Sequence, residues 1–176
     1  WIAANAAGEL VGLGIVFLAG FAMIRCFGEP RSVVSILLFA AAAVGLGAIE
    51  GAVVGFSQWL VPRGIAPGIG RARWILATIV GAVVAWLLGM IPSTVASLQA
   101  SSSEEPVQEP EQVVVALFAA GIGVAGGVVL SFAQWRVLKK QGSGSIWWLP
   151  ANAAAWAIGM PWIFWLVGAT VAEHQD

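Results

Sequence analysis

VVSILLFAAAAVGLGAIEGAVVGFSQWLV, residues 33–61, carries one charged side chain, Glu50, and no proline. A bilayer core takes about 20 apolar residues of α-helix to cross, so this run is long enough to span it. Strands of a membrane barrel would alternate polar and apolar residues, and this run does not. Within it Gly47, Gly51 and Gly55 recur at every fourth position, a ridge of small residues on one helix face. Lipid tails are as apolar as leucine, so membrane helices associate through close backbone packing, which small-residue ridges permit.

The same pattern returns later in the chain. Gly45-Leu46-Gly47, Gly51, Phe56, Gln58-Trp59, Val61 and Arg63 match Gly121-Ile122-Gly123, Gly127, Phe132, Gln134-Trp135, Val137 and Lys139 at one constant offset. Gly123, Gly127 and Ser131 repeat the small-residue ridge. After a short loop, Trp74, Ala77, Thr78 and Gly81 correspond to Trp148, Ala151, Asn152 and Ala155, and the chain opens on the same signature as Trp1, Ala4, Asn5 and Gly8. The unit is a helix pair, the first glycine-rich and ending in Gln-Trp, the second led by Trp. The sequence therefore divides into a half repeat at 1–24, a repeat at 33–98, an acidic linker at 99–112 and a repeat at 113–172, all one transmembrane domain. A further glycine-rich helix ending in Gln-Trp is expected ahead of Trp1. Units that cross twice keep one orientation, so a pseudosymmetry axis would lie along the membrane normal.

Charged residues cut the chain into runs of spanning length at 1–24, 33–61, 74–98, 113–138 and 146–172. The fold class expected is all-α, a polytopic transmembrane bundle of about five helices built from tandem two-helix repeats. Composition agrees: 60% of residues are hydrophobic and 10% charged, against about 45–50% and 25% in soluble domains. A net charge of −1 offers no basic footprint for nucleic acid. Gly121, Gly123 and Gly126 spell G-x-G-x-x-G, but no strand precedes them, as dinucleotide binding would require.

Basic loops stay in the cytoplasm. Arg63, Arg71 and Arg73 in loop 62–73 and Arg136, Lys139 and Lys140 in loop 136–145 fall on one side of this topology, which is expected to be cytoplasmic. The acidic linker, with Glu104, Glu105, Glu109 and Glu111, and the C-terminus then lie opposite. Trp1, Trp59, Trp74, Trp135, Trp147 and Trp148 gather at the cytoplasmic boundary, where indoles favour the headgroup layer. Gln58, Trp59, Gln134, Trp135, Trp74 and Trp148 are accordingly expected as interfacial anchors, each Gln amide bonding headgroups, loop backbone or a neighbouring helix. Pro92 and Pro161 are expected as kinks or helix ends.

Tandem glycine-rich helices closed by Gln-Trp and followed by a Trp-led helix resemble a group of uncharacterised bacterial multi-pass membrane proteins. The resemblance covers most of the chain and implies a fold in a bacterial inner-type membrane.

Two carboxyl groups lie inside the apolar runs, Glu9 and Glu50. A charged group at mid-membrane costs roughly 2.5–3.5 kcal/mol on insertion scales, which makes it a functional candidate. Neither follows the repeat: Ala82 and Trp156 match Glu9, and Gly126 matches Glu50. Asn5, Gly8, Glu9 and Gly12 share one face of the first helix. Counting about 1.5 Å per residue from the loop joining the first two helices places both carboxyl groups at similar depth. Glu9, Glu50 and Asn5 thus form a candidate proton or cation site, with local hydrogen bonding of each protonated Glu as the alternative. Asn5, Thr78 and Asn152 are expected to make interhelical hydrogen bonds.

Enzyme chemistry finds no foothold, since the single His is His174 in a polar tail and the single Cys, Cys26, has no His beside it. No cofactor or metal is expected. Bound lipid is, and a pigment would ordinarily want a transmembrane His, which the chain lacks. Two function classes remain open. The first is a non-enzymatic accessory or assembly subunit of a larger membrane complex, such as an energy-transducing one, with lipids, other subunits or its own copies as partners. The second is a small transporter or channel for a proton, cation or small solute using Glu9 and Glu50.

Overall fold

The computed structural model describes residues 1–61, 68–102, 111–140 and 143–172, with side chains given except at 143–144 and 167–172. Pro62, Arg63 and Pro67 of the first basic loop, Glu104, Glu105 and Glu109 of the acidic linker, and the tail residues Glu173, His174, Gln175 and Asp176 lie outside the described residues. The described residues form five helices and no strand: α1 Ile2–Phe27, α2 Val33–Trp59, α3 Arg71–Ser102, α4 Gln112–Leu138 and α5 Trp148–Ala172. Helices α1 to α4 are each long and apolar enough to cross a membrane. They mark the chain as a multi-pass membrane protein of all-α class.

Some boundaries differ from the sequence reading. Residues 99–102, assigned there to the linker, continue α3; the Ser101 and Ser102 hydroxyls bond back to the Leu98 carbonyl at 2.8 and 3.2 Å, which accommodates them in the final turn. Pro92 and Pro161 lie inside α3 and α5 and end neither. Ile146 and Trp147 belong to a 3-10 turn, Ser143–Trp147, that leads into α5. Between α1 and α2, Gly28 takes φ 78°, a left-handed conformation glycine adopts without strain, and its N–H bonds the Ile24 carbonyl. Ser32 then caps α2, accepting from the Ser35 backbone N–H at 3.2 Å while the Ser35 hydroxyl side accepts from Ser32 N–H at 3.0 Å. That reciprocal pair satisfies two donors the helix start would otherwise leave open.

Among the described residues, helix backbones approach only between consecutive helices, α1 with α2, α2 with α3, α3 with α4 and α4 with α5. Glycine makes each approach. A methyl added at Gly8 would lie 3.0 Å from the Val54 Cα, and one at Gly81 2.8 Å from the Leu130 Cα. At Gly51 it would meet the Ala82 Cβ at 2.8 Å and the Ile79 Cα at 2.9 Å; at Gly55, the Thr78 Cβ at 3.0 Å. At Gly127 it would meet the Asn152 carbonyl at 2.8 Å, at Gly123 it would overlap the Trp156 carbonyl, and at Gly47 it would overlap the Trp86 ring. Buried Ser131 turns its hydroxyl back to the Gly127 carbonyl at 2.6 Å, so it offers the neighbouring helix a small surface.

Gly45, Gly121, Gly14 and Gly20 face open space. Gly14→Ala and Gly20→Ala should each therefore stabilise the protein by about 0.5–1 kcal/mol, because alanine gives up less backbone entropy on folding. An unchanged or lower midpoint in denaturing-detergent titration would contradict this.

Candidate functional site: an amide hub and a carboxyl pair

Consecutive helices run antiparallel, so α1, α3 and α5 begin at the end of the bundle where α2 and α4 finish. Each of the three carries a tryptophan in its first turn or just ahead of it, and the three rings pack edge to face on one another: Trp1 to Trp74 at 5.7 Å, Trp1 to Trp148 at 5.0 Å and Trp74 to Trp148 at 6.1 Å between centroids. Such pairs contribute about 0.5–1.5 kcal/mol each beyond the area they bury. Trp74, between the other two in sequence, is wholly buried, whereas Trp1 remains 37% exposed.

Beside this triangle the last-turn amides of α2 and α4 meet. The Gln134 side-chain amide donates to Gln58 Oε1 at 2.8 Å and to Thr78 Oγ1 at 3.0 Å, and its own oxygen accepts from Trp148 Nε1 at 2.9 Å. Gln58 passes the chain on by donating to Asn5 Oδ1 at 2.5 Å. One connected network thus ties all five helices together at one end. In a low-dielectric setting such bonds polarise one another and each unmade bond is costly. The Trp74 indole N–H stands outside it and, like that of Trp135, is buried without a partner; Trp148 donates to Gln134, while the side-chain oxygen of Gln58 accepts from Gln134.

The network shows which way three of the expected anchors turn. Gln58, Gln134 and Trp74 are exposed by only 1, 0 and 0%, and of the amide partners expected for the two glutamines, a neighbouring helix is the one found. An amide carries two donors and an acceptor oxygen, and here polar groups of neighbouring helices satisfy them, so the side chain turns inward. Trp59 and Trp135 remain at the helix ends, with the Arg71 guanidinium 5.8 Å from the first ring and the Lys139 ammonium 5.3 Å from the second. Trp59 also donates to the Ile69 carbonyl at 3.3 Å. Asn5 and Thr78 make interhelical bonds as described, but Asn152 donates within its own helix, to the Trp148 carbonyl at 2.8 Å.

Deeper in the bundle, Glu50 is 5% exposed and accepts from Trp86 Nε1 at 2.6 Å. The Glu9 carboxyl group lies within hydrogen-bonding reach of it. An ionised carboxylate only accepts, so a bond between the two requires a proton on one of them. Glu9 Oε2 is buried and finds no N–H or hydroxyl donor. Gly12 creates the space, since a methyl there would sit 2.9 Å from the Glu50 Cγ. Sequence reasoning brought Glu9 and Glu50 into consideration and put Gly12 on the same helix face as Glu9, but missed Trp86. Depth counting along α3 from its own start is the one signal that would have suggested Trp86. Among the described residues no three His, Cys, Asp or Glu side chains come together to hold a metal ion.

An open groove of about 470 Å³ runs between α2 and α3, lined by apolar residues including Ala40, Val44, Leu87, Met90 and Ile91. No protein-family model, curated protein or solved structure matches this chain, so its function must be argued from the hub and the carboxyl pair themselves.

Proposed function

We propose that this chain is a non-enzymatic helix-packing protein of a bacterial inner-type membrane, an accessory or assembly subunit held within a larger membrane complex. The observation that carries the reading is the closure of the amide hub. A solute site needs polar groups converging on open space, whereas Asn5, Gln58, Thr78, Gln134 and Trp148 bond one another. The groove between α2 and α3 lies away from them, toward the start of α2 and the end of α3; it is apolar and suits a lipid acyl chain. On α5, Ile158 and Trp162 are 68 and 61% exposed, an apolar face for lipid or another subunit. Purification in mild detergent tests this: stoichiometric partner subunits are expected, and a lone, well-behaved oligomer with ion flux abolished by Glu50→Gln would overturn it.

The chain is built from tandem helix pairs in this reading. Contacts at matched positions support it: Gly8 on Val54 corresponds to Gly81 on Leu130, and Gly51 on Thr78, Ile79 and Ala82 corresponds to Gly127 on Asn152, Ala153 and Trp156. The fifth crossing is α5, which contains no charged residue. Segments 62–73 and 136–145, whose residues 71–73 and 136–138 belong to the ends of α3 and α4, face the cytoplasm, on the excess of basic residues they carry.

A second reading, a small proton or cation carrier, is favoured by one observation, the meeting of Glu9 and Glu50 beside Trp86. Its consequence is specific. In vesicles holding the purified protein, Glu50→Gln and Glu9→Gln should each abolish proton flux, and flux untouched by both substitutions would remove this site from consideration.

A further inference from the structure

The three tryptophans at the starting ends of α1, α3 and α5, the Trp-led helices, form a closed triangle, and each side of the triangle opens onto a slot between two of them. Helix α2 fills the slot between α1 and α3, and α4 fills the slot between α3 and α5. Between α5 and α1 the Trp1 and Trp148 rings are 5.0 Å apart, the shortest of the three sides, yet among the described residues the two helix backbones do not approach each other. The exposures follow: Trp74 is buried because both its flanks are filled, while Trp1 keeps 37% of its surface open.

We infer that this third slot is the seat of a transmembrane helix, and that the occupant is a segment of the same polypeptide ahead of Trp1. The two filled slots state what such a helix must look like. In each, small residues at every fourth position lie against the following Trp-led helix, and a glutamine amide reaches the hub. The walls of the third slot suit that occupant. On α1, Ile2 and Ala6 are exposed and occupy the positions that Ile75 and Ile79 hold where α3 receives Gly55 and Gly51. On α5, Ala155 is exposed and a methyl at Gly159 would meet nothing within 4 Å; they match Gly81 and Ala85, which on α3 lie against Leu130 and Gly126. By the same correspondence the occupant's amide accepts from Trp1 Nε1, as Gln134 does from Trp148, and donates to Asn152, as Gln134 does to Thr78. The result is a ring of six helices about a threefold pseudosymmetry axis with the amides at one end.

The source follows from the pairing along the chain: the glycine ridge of each slot-filling helix lies against the Trp-led helix that comes next in the sequence, Gly51 and Gly55 of α2 against α3 and Gly123 and Gly127 of α4 against α5, and α1 is the Trp-led helix whose matching face, Ile2 and Ala6, is left open. Disulfide mapping tests this in the protein expressed with all coding sequence upstream of Trp1, in a Cys26→Ser background. Ala155→Cys, and independently Ala6→Cys on the other wall, should cross-link to cysteines placed along one face of the upstream hydrophobic segment, at every fourth position. Ala155→Cys should also react with a membrane-permeant maleimide about tenfold more slowly than Ile158→Cys, because close helix packing excludes the reagent. Absence of an upstream hydrophobic segment overturns the inference. So does equal reactivity of Ala155→Cys and Ile158→Cys, or cross-linking of both wall cysteines to a separate polypeptide or a second copy. Whether other subunits co-purify is read separately, so failure here leaves the proposed subunit role standing.

Discussion

Gly123→Val is expected to cost about 3 kcal/mol, at the upper end of what overpacking a close contact usually brings. The new side chain would enter the Trp156 carbonyl of α5, and a backbone atom cannot rotate away. Relief requires α4 and α5 to separate along the seam that also holds Gly127 against the Asn152 carbonyl. The control lies in the same helix, two residues earlier: Gly121 has nothing within 4 Å of an added methyl, so Gly121→Val should change stability by well under about 1 kcal/mol, the size of a propensity effect. Gly126→Ala belongs with the control, since its methyl would make ordinary contact with the Ala85 Cβ at 3.6 Å. Equal denaturation midpoints for Gly123→Val and Gly121→Val would show that the seam does not hold the bundle together.

Gln134→Leu should be nearly as damaging, by a different route. Leucine fits the hydrocarbon better than an amide does, so a gain would follow if the amide faced lipid. It faces the hub instead, and its loss removes three bonds at once while leaving the Trp148 indole N–H without its acceptor. Interhelical bonds in membranes average about 0.6 kcal/mol and reach about 1.7, and orphaning a buried donor adds about 1–3 kcal/mol. A net loss of about 2–4 kcal/mol is therefore expected. Trp148→Phe removes one of the bonds and should cost about 1 kcal/mol. A double-mutant cycle between Gln58→Leu and Gln134→Leu should give a coupling of about 0.5–2 kcal/mol, the signature of residues sharing one network. Strict additivity of the two would contradict the bond between them.

Helix positions and the polar residues worth attention could be read from the sequence because length and hydropathy alone decide a membrane span. Runs at 33–61 and 113–138 became α2 and α4 with ends displaced by a few residues at most. What the sequence did not reveal was direction. A tryptophan at a helix end satisfies an interfacial pattern whether its ring points to headgroups or to other rings, so Trp74 reads like Trp59 although only the latter sits by a surface arginine. The same ambiguity left open which of headgroups, loop backbone or a neighbouring helix Gln58 and Gln134 would bond. Partner identity was likewise unreadable: nothing within α2 indicates that Glu50 meets an indole from α3, because the two residues converge only through the packing of Gly47, Gly51 and Gly55.

The carboxyl group lodged against Gly12 has a bearing on how the chain avoids pairing wrongly with itself. Helices α2 and α4 share glycines, a phenylalanine and a Gln-Trp pair at matched positions, so α1 has two similar surfaces to dock on, and similar surfaces invite swapped arrangements. At the corresponding seam between α3 and α4 bulk and gap trade places, with Ala85 opposite Gly126. Put Glu50 opposite Ala85 and they collide; put Gly126 opposite Gly12 and a void opens. A misfit of this kind distinguishes the two seams, so Glu50 also marks α2, and not α4, as the helix on which α1 docks.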